Sequence, residues 1–344
     1  MVLFCTLLLG AFVAVSFLKP SGPFPPGGVF VEIPPGASLR AVSRILASKG
    51  VVRSALAFEL SARSLGRPLQ AGEYQFDSPE PLGRVLWAIS NGKVYQVSFT
   101  VPEGLTMFQV ADRFAAAGFG TREQFLEAAG DPLLVRDLAP EARNLEGFLF
   151  PATYYLARRT TAMQLAEKMV AQFRAQWEEV SRLRQPEKAP PALSLHELVT
   201  LASLVERETP APGERPVIAA VFYNRLNKRI ALQCDPTVLY AMELAGKNDG
   251  VIHQSDLRLK SPYNTYLYRG LPPGPIGNPG RAALIAARHP QPVKYLYFVA
   301  DTQGGHLFSE TLAEHTRNVA RYRRLLSQQR NGAAPPGNGA RRLQ

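Results

Sequence analysis

The chain has 344 residues, enough for two domains, and its 46% hydrophobic and 19% charged residues are ordinary for a globular protein. Its formal net charge of +11 favours an anionic partner or neighbouring surface, such as nucleic acid, phospholipid headgroups or a carboxylate-rich polymer. Because the Lys and Arg residues are scattered and not interleaved with aromatic residues, the sequence argues against nucleic-acid binding. The two cysteines, Cys5 and Cys234, do not predict a disulfide in the folded part, since Cys5 lies in an apolar N-terminal segment.

This N-terminal segment, MVLFCTLLLGAFVAVSFL at residues 1–18, carries no charged side chain. As a helix it would be about 27 Å long, just enough to cross a bilayer, so we predict a transmembrane anchor. A cleaved signal peptide stays open as an alternative, because Ala14, Val15 and Ser16 fit a small-x-small cleavage pattern. In either case the body of the protein is exported, and the stiff Pro/Gly stretch at residues 19–28 predicts a linker.

Two stretches of the chain repeat each other without a gap: IPPGASLRAVSRILASKG at residues 33–50 and VPEGLTMFQVADRFAAAG at residues 101–118. Each copy predicts a short strand, a Pro-x-Gly turn, a hydroxyl N-cap and an amphipathic helix that ends at a glycine. A second helix is predicted after each copy, and AGEYQF at residues 71–76 predicts a return strand. The region 29–130 is therefore predicted to hold two small strand-helix modules. The predicted strands cover residues 29–33 and 97–101, and the N-caps are Ser38 and Thr106.

Beyond residue 130 the pattern changes to longer helices, so residues 131–327 are predicted to form a mixed α+β domain. Asp235 and Asn278 each precede a proline and are predicted to N-cap two of its helices. The composition of the tail, residues 328–344, predicts disorder. Further helices are predicted at residues 160–181, 193–208, 213–228 and 310–327, and a buried strand is predicted at residues 294–300.

The stretch LASLVERETP, residues 201–210, ends a predicted apolar helix with two acids, Glu206 and Glu208. Pro210 should stop the helix, which leaves both acids at its C-terminal end, where the helix dipole disfavours negative charge. Glu206 extends the apolar stripe of the helix, and burial there would raise its pKa towards the range of a general acid. Glu208 continues a second apolar stripe, so the periodicity does not rank the two acids. The alternative is a helix that frays at Val205 and leaves both acids in solvent.

No metal or cofactor is predicted from the sequence. HELVT, residues 196–200, begins like a zinc-protease motif, but a threonine occupies the position of the second histidine. His306 and His315 lie on either side of a strand-to-helix junction and lack a familiar ligand spacing. A Gly-x-Ser-x-Gly motif and a phosphate-binding loop are absent from the sequence. Cys234 is interpreted as a small buried side chain rather than a nucleophile.

The loop SPYNTYLYRGLPPGPIGNPG, residues 261–280, is rich in tyrosine, proline and glycine. Tyr263, Asn264 and Tyr266 lie in its first part. Aromatic faces and amide groups commonly line sugar-binding grooves, because pyranose rings present apolar faces edged with hydroxyl groups. The alternative is that these aromatic residues simply pack within an irregular loop.

Seven stretches follow one another in an order typical of one family. They are LEGFLFPATY (145–154), LASLVERET (201–209), VIAAVFYNRL (217–226), LQCDPTVLY (232–240), SPYNTY (261–266), GLPPGPIGNPG (270–280) and LYFVADTQGGHLF (296–308). On these motifs the chain resembles the endolytic murein transglycosylases of the YceG-like (MltG) family, up to its last helix. Cys234 departs from the pattern, since the family usually has a small polar residue at that position.

The resemblance implies an α+β protein with an N-terminal membrane helix, LysM-like strand-helix modules that bind glycan, and a lytic domain. It implies a single-pass protein of the inner (plasma) membrane whose catalytic body lies in the periplasm or otherwise outside the membrane. The expected partners are peptidoglycan glycan strands, the membrane through residues 1–18, and cell-wall synthases, with no nucleic acid. No cofactor is expected.

The implied activity is cleavage of the β-1,4 bond between N-acetylmuramic acid and N-acetylglucosamine within nascent strands, which would terminate their elongation. The family's catalytic glutamate corresponds to Glu206, the first acid of the V-E-x-E motif. It would protonate the glycosidic oxygen and then deprotonate the C6 hydroxyl, giving a 1,6-anhydro end. A non-catalytic peptidoglycan-binding scaffold and a hydrolase that leaves reducing ends are the alternatives. The candidates for lining the groove are Asn224, Gln233, Asp235, Tyr263, Asn264 and Tyr266.

Overall fold

The computed structural model describes residues 21–184, 192–247 and 250–332. The predicted anchor at residues 1–18 and the tail beyond residue 332 lie outside this part of the chain. Within it, no helix is both long enough and apolar enough to cross a membrane. The chain forms two compact units. The first contains the residues up to Ser98 together with Tyr155–Arg159, and the second contains Phe99–Tyr154 and the residues from Thr160 onwards.

The first unit consists of a two-stranded sheet and three described helices that share one hydrophobic core. Strands β1 (Val29–Ile33) and β2 (Gly72–Phe76) pair antiparallel, with Val31 opposite Tyr74. Burial of apolar side chains from both strands and all three helices stabilises the unit. The helices are α1 (Leu39–Ser48), α2 (Ala55–Leu65) and α3 (Leu82–Ser90).

Local sequence signals place the ends of these elements. Ser38 and Ser54 begin α1 and α2, and each hydroxyl accepts a hydrogen bond from the main-chain N–H three residues later. The return strand predicted at residues 71–76 is confirmed as β2. Helix α3 is missing from the sequence-based prediction, because Pro81 precedes it without a side-chain cap.

The chain passes between the two units in two short strands that pair with each other, β3 (Val97–Thr100) and β4 (Thr153–Leu156). Helices α4 (Met107–Ala116) and α5 (Arg122–Gly130) follow β3, and each begins at a capping box. The helix of the first sequence repeat therefore lies in the first unit, and the helix of the second repeat lies in the second unit. The unit boundary after Ser98 does not coincide with the predicted boundary after residue 130.

The remainder of the second unit is mainly helical, with one antiparallel hairpin of β5 (Tyr297–Ala300) and β6 (His306–Ser309). Helix α7 packs against α8, α9 and α10, and every residue from Leu198 to Val205 is buried. It is the helix that ends in the two acids. The helices are α6 (Ala162–Ser181), α7 (Leu195–Glu208), α8 (Arg215–Asn227), α9 (Asp235–Leu244), α10 (Arg281–Arg288) and α11 (Leu312–Gly332).

Three predicted element ends need correction. Cys234 is the N-cap of α9, so Asp235 is the first residue of the helix rather than its cap. Helix α10 begins after Gly280, and the side chain of Asn278 is instead buried and joins two distant segments of the chain. The strand predicted at residues 294–300 is shorter and only half-buried, because a two-stranded hairpin covers little of its own surface.

Candidate active site

Helix α7 continues through both acids singled out in the sequence. It begins at a capping box in which the side chains of Ser194 and Glu197 each accept a hydrogen bond from the other residue's main-chain N–H. It ends at Glu208, and the next residue is extended. The alternative of a helix that frays at Val205 is therefore wrong, and the helix presents both carboxyl groups to its neighbours.

The carboxyl group of Glu206 is almost completely buried, with 5% of its side chain exposed. Its Oε1 lies 2.6 Å from a terminal nitrogen of Arg215, the first residue of α8. Its Oε2 accepts a hydrogen bond of 2.9 Å from the main-chain N–H of Gly280, just before α10. The same guanidinium group lies 3.5 Å from Glu103. Two acids therefore share one arginine, and a main-chain N–H orients Glu206.

The surroundings of Glu206 act on its pKa in opposite directions. Burial, the largest effect, raises the pKa because the charged form loses its hydration. The hydrogen bond from Gly280 and the charge of Arg215 lower the pKa, whereas the charge of Glu103 raises it. The net result is a raised pKa, so the protonated acid persists to higher pH than in an ordinary glutamate. A raised pKa brings the group closer to the range in which a carboxyl group can act as a general acid and then as a base.

Two glycine-containing turns pack over Glu206. Gly104 in the first turn donates its N–H to a carbonyl of the second turn at 2.8 Å. A Cβ atom on Gly277 would lie 2.7 Å from the carbonyl oxygen of Gly104, and one on Gly280 would overlap Oε1 of Glu103 at 1.8 Å. Gly104 also has a φ of +77°, which favours glycine. Gly104, through its φ, and Gly277, through its contact with a main-chain oxygen, are therefore required as glycines for the two turns to approach each other, whereas the Glu103 side chain could move away from a substituted Gly280.

The second acid, Glu208, contacts a different set of residues. Its Oε2 accepts a hydrogen bond of 3.2 Å from Sγ of Cys234, which is almost fully buried. Burial raises the pKa of Glu208, the hydrogen bond from Cys234 lowers it, and the charge of Asp235 raises it further. The prediction of a small buried Cys234 is confirmed. Its donation to Glu208 is a contact that the sequence does not reveal.

Three of the predicted groove residues are linked to Glu208 through Cys234, which lies between two of them in the sequence. The hydroxyl of Tyr266 donates to Oδ1 of Asp235 at 2.5 Å. Gln233 is exposed, has a φ of +52°, and donates its main-chain N–H to the loop that carries Tyr266. Cys234, between Gln233 and Asp235, is the residue that contacts the acid. The structure therefore joins these three groove candidates to the second acid of α7.

The other three groove candidates make contacts within the fold. The amide of Asn224 donates to two main-chain carbonyls of the segment before β5. The amide of Asn264 is fully buried and donates to two carbonyls of the preceding turn. The ring of Tyr263 packs against Tyr240, with centroids 5.0 Å apart. Sugar binding by these three residues stays a prediction, and their observed contacts stabilise the loops around the site.

Glu146, in the stretch LEGFLF, is a buried carboxyl group that is not among the site residues predicted from the sequence. Its oxygens accept hydrogen bonds from the Met107 N–H, the Asn278 amide and the Tyr240 hydroxyl. Complete burial, the largest effect, raises the pKa of Glu146 to about 8, and the hydrogen bonds from Met107 and Tyr240 oppose the increase only in part. A single acid inside an apolar run is the signal that could have identified it. Its network joins α4, α9 and the loop before α10.

The histidines weighed as metal ligands have other neighbours. Nδ1 of His306 lies 2.6 Å from Glu214. The ring of His315 stacks on Tyr297, with centroids 5.2 Å apart. Across residues 21–184, 192–247 and 250–332, no group of three or more His, Cys, Asp or Glu side chains is arranged to hold a metal ion.

Comparison with curated proteins finds relatives that share one name. A relative from Bacillus subtilis (strain 168), named endolytic murein transglycosylase, is 34% identical over 331 residues, which cover 91% of this chain and 90% of the relative. A relative of the same name from Streptococcus pneumoniae (strain D39) is 32% identical over 324 residues. That match covers 86% of this chain and 58% of the relative, so the chain spans little more than half of the streptococcal protein.

Comparison with solved structures and family models gives the same relationship. A crystal structure of a YceG-like protein from Listeria monocytogenes is 34% identical and superposes with a TM-score of 0.53, covering 84% of this chain and 98% of the other. The model of the YceG-like family matches residues 31–321, a range that includes both acids of α7 and the glycine turns over Glu206. Since these matches cover most of the chain, the protein belongs to the YceG-like family.

Proposed function

We propose that this protein is an endolytic lytic transglycosylase that cleaves peptidoglycan glycan strands, with Glu206 as both acid and base. The observation that carries the proposal is the buried carboxyl group of Glu206, held between Arg215 and a main-chain N–H. The relatives named endolytic murein transglycosylase support the substrate and the class of reaction. The net charge of +11 suits a substrate polymer that carries carboxylates.

One carboxyl group suffices for this reaction, because no water is consumed. Protonated Glu206 donates its proton to the oxygen between N-acetylmuramic acid and N-acetylglucosamine, and the C1–O bond breaks to leave an oxocarbenium-like sugar. The remaining carboxylate accepts the proton of the muramoyl C6 hydroxyl, whose oxygen closes on C1. The product has a 1,6-anhydro end, and Glu206 returns to its protonated state.

Arg215 is suited to both protonation states of Glu206. After Glu206 has donated its proton, the guanidinium group 2.6 Å away stabilises the carboxylate. While Glu206 is protonated, Glu103 at 3.5 Å remains as an anionic partner for Arg215. Burial stabilises the protonated form of Glu206 and Arg215 stabilises the carboxylate, so the site supports both forms that the reaction needs.

We place the sugar-binding groove along the loop 261–280 and the turn before α9. Gln233, Asp235 and Tyr266 would stabilise the oxocarbenium-like charge there, because a carboxylate and oriented dipoles favour developing positive charge. Asn224, Tyr263 and Asn264 would shape the groove through the loops that they hold. Because Cys234, next to Gln233 and Asp235 in the sequence, donates a hydrogen bond to Glu208, Glu208 is the rival acid.

Mass analysis of the products tests the proposed reaction. Polymerised, uncrosslinked glycan strands incubated with the protein should yield internal fragments with 1,6-anhydro ends, which weigh one water less than reducing ends. Fragments with reducing ends would instead identify a hydrolase. Intact strands would identify a non-catalytic peptidoglycan-binding scaffold.

The proposed location is the inner (plasma) membrane, with one span at residues 1–18 and the body outside the cytoplasm. There the enzyme would terminate nascent strands beside the cell-wall synthases. The apolar, uncharged run at residues 1–18 supports the anchor. N-terminal sequencing of membrane-extracted protein tests it, and a mature chain that starts at Phe17 would contradict it.

The strand-helix modules of residues 29–130 are proposed to be LysM-like and to bind glycan without help from Glu206. Their support is the internal repeat, in which the same turn and capped helix occur twice. The full chain carrying Glu206→Gln should therefore pull down with purified sacculi at low salt, where positive charge helps most. Failure to bind would leave the modules with a spacing role.

A further inference from the structure

We propose that a cavity at the N-terminal end of α7, separate from the site at Glu206, binds the peptide branch of the glycan strand that is cleaved at Glu206. The inference rests on the proposed function and adds a subsite to it. The cavity has a volume of about 690 Å³ and lies in the second unit. The turn 270–273 forms part of its wall. Its polar lining includes Glu141, Arg143, His196 and Glu197.

His196 is the residue that points to a ligand. Only 8% of the residue is exposed and it lines the cavity, yet its ring nitrogens are not among the fully buried, unpartnered side-chain atoms of the described part of the chain. These nitrogens are therefore accessible from the cavity and can form a hydrogen bond with a molecule bound there. Gly274 lies directly beside the ring, since a Cβ atom there would be 3.4 Å from Nε2 of His196.

The protonation of His196 suits an uncharged hydrogen-bonding role. Burial lowers the pKa of His196, and the nearby charges of Glu141 and Glu197 oppose this in part. The imidazole is therefore neutral near pH 7, with one nitrogen that donates a hydrogen bond and one that accepts. A peptide unit supplies the matching pair, a carbonyl oxygen and an N–H.

The remaining lining favours a short charged peptide over a sugar. Arg143 can pair with a carboxylate, and Glu141 and Glu197 can pair with an amine. Leucine and proline side chains supply apolar surface for small alkyl groups. The described residues that line the cavity include no Phe, Tyr or Trp, whose faces are the usual platform for a pyranose ring. A peptide with free carboxylate and amino groups therefore fits better than a neutral stretch of glycan.

The distance between the cavity and Glu206 also fits a peptide branch. Helix α7 rises 1.5 Å per residue, so His196 lies about 15 Å along the axis from Glu206. The loop 270–280 follows the same path, contacting His196 through Gly274 and Glu206 through Gly280. An extended peptide spans at most about 3.5 Å per residue, so about four or five residues bridge this distance. By this axial measure, a branch of that length on a muramic acid bound at Glu206 would be long enough to extend to the cavity.

Cleavage of two matched polymers tests the inference. One is uncrosslinked glycan that carries its peptides, and the other is the same glycan after an amidase has removed them. The wild-type protein should cleave the peptide-bearing polymer with a kcat/KM about tenfold higher, equivalent to about 1.4 kcal/mol of binding. His196→Ala and Arg143→Ala should lose most of this preference. Arg136→Ala, which changes an exposed arginine outside the cavity, should keep it.

The outcomes separate this inference from the proposed function. Equal wild-type rates on the two polymers would overturn the peptide subsite and leave the proposed function intact. No wild-type cleavage of either polymer would contradict the proposed function itself. Equal losses by His196→Ala on both polymers would assign His196 a purely structural role and overturn the inference.

A binding measurement on the wild-type protein covers the case in which a variant fails to fold. The probe is the free peptide that the amidase releases, titrated while the imidazole resonances of His196 are followed by NMR. We expect a saturable shift of these resonances. Resonances that stay unchanged at millimolar peptide would overturn the inference.

Discussion

Two carboxyl groups lie two residues apart at the end of one helix, yet their partners differ. Glu206 pairs with the cation Arg215 and a main-chain N–H, whereas Glu208 contacts the neutral thiol of Cys234. Burial raises the pKa of both acids. The difference concerns the state after deprotonation, because only Glu206 has a cation in direct contact. An acid that must also exist as an anion during the reaction is therefore better placed at Glu206.

Replacing each acid by its amide tests directly which of the two carries the reaction. Glu206→Gln keeps the shape of the side chain but can neither donate nor accept the proton, so activity should fall at least about 10²- to 10⁴-fold. Glu208→Gln should lose far less if Glu208 only stabilises the end of α7. Rates of fragment release from uncrosslinked strands measure both effects. Full activity of Glu206→Gln would refute the assignment, and a reversed order of the variants would move the catalytic role to Glu208.

Glu146 extends the comparison to a buried carboxyl group whose hydrogen-bond donors are all uncharged. Its pKa is about 8, against 4.5 for an ordinary glutamate. The folded state therefore holds this proton more tightly than the unfolded state. The resulting stabilisation is complete below about pH 4.5 and is lost as the pH rises through about 8. We expect the free energy of unfolding to fall by a few kcal/mol between about pH 5 and pH 9, measured by urea denaturation.

Glu146→Gln is the matched control for this pH dependence. The amide has no charge to bury, and the Tyr240 hydroxyl can turn to accept a hydrogen bond from it. The decline in stability between about pH 5 and pH 9 should therefore become shallower in the variant. An equally steep decline would show that other groups cause the pH dependence of stability. Glu206 and Glu208, whose pKa values are also raised, would then be the candidates.

Arg215→Gln tests the role of the cation that contacts Glu206. The pKa of Glu206 should rise, because Arg215 lowers it, so the basic limb of the kcat/KM profile should move to higher pH. The rate at neutral pH should fall about tenfold or more, because the carboxylate loses a charge-assisted hydrogen bond. Arg122→Gln, in an exposed ion pair with Asp112, should change neither quantity. A pH profile that does not move would contradict the proposed pairing.

The smallest expected effect concerns the partner of Glu208. Cys234→Ala removes the donor to a buried carboxyl group and should cost about 1 kcal/mol of stability, seen as a lower melting temperature. Cys234→Ser keeps a donor at that position and should cost less. Neither change should lower activity as Glu206→Gln does. A comparable loss of activity would place the reaction on the Glu208 side of the helix.

Much of the local structure could be predicted because its causes lie within a few residues. Ser38, Ser54 and Thr106 cap helices through hydrogen bonds to the next turn, and alternation of side chains identified the return strand β2. The same reasoning failed at Asn278, whose Asn-Pro pair resembles a helix start. Its amide is instead used by Glu146, more than a hundred residues away, which no local pattern indicates.

At the site, helical spacing in the sequence was enough to place Glu206 on an apolar stripe of a helix. The order of the motifs was enough to indicate the family. Helical periodicity assigns a side chain to a face, but it does not say what covers that face. Only the tertiary structure decided that Arg215, nine residues on, and Gly280, 74 residues on, hold Glu206. It likewise decided that His196 lines a cavity, because that depends on a loop far along the chain folding back against α7.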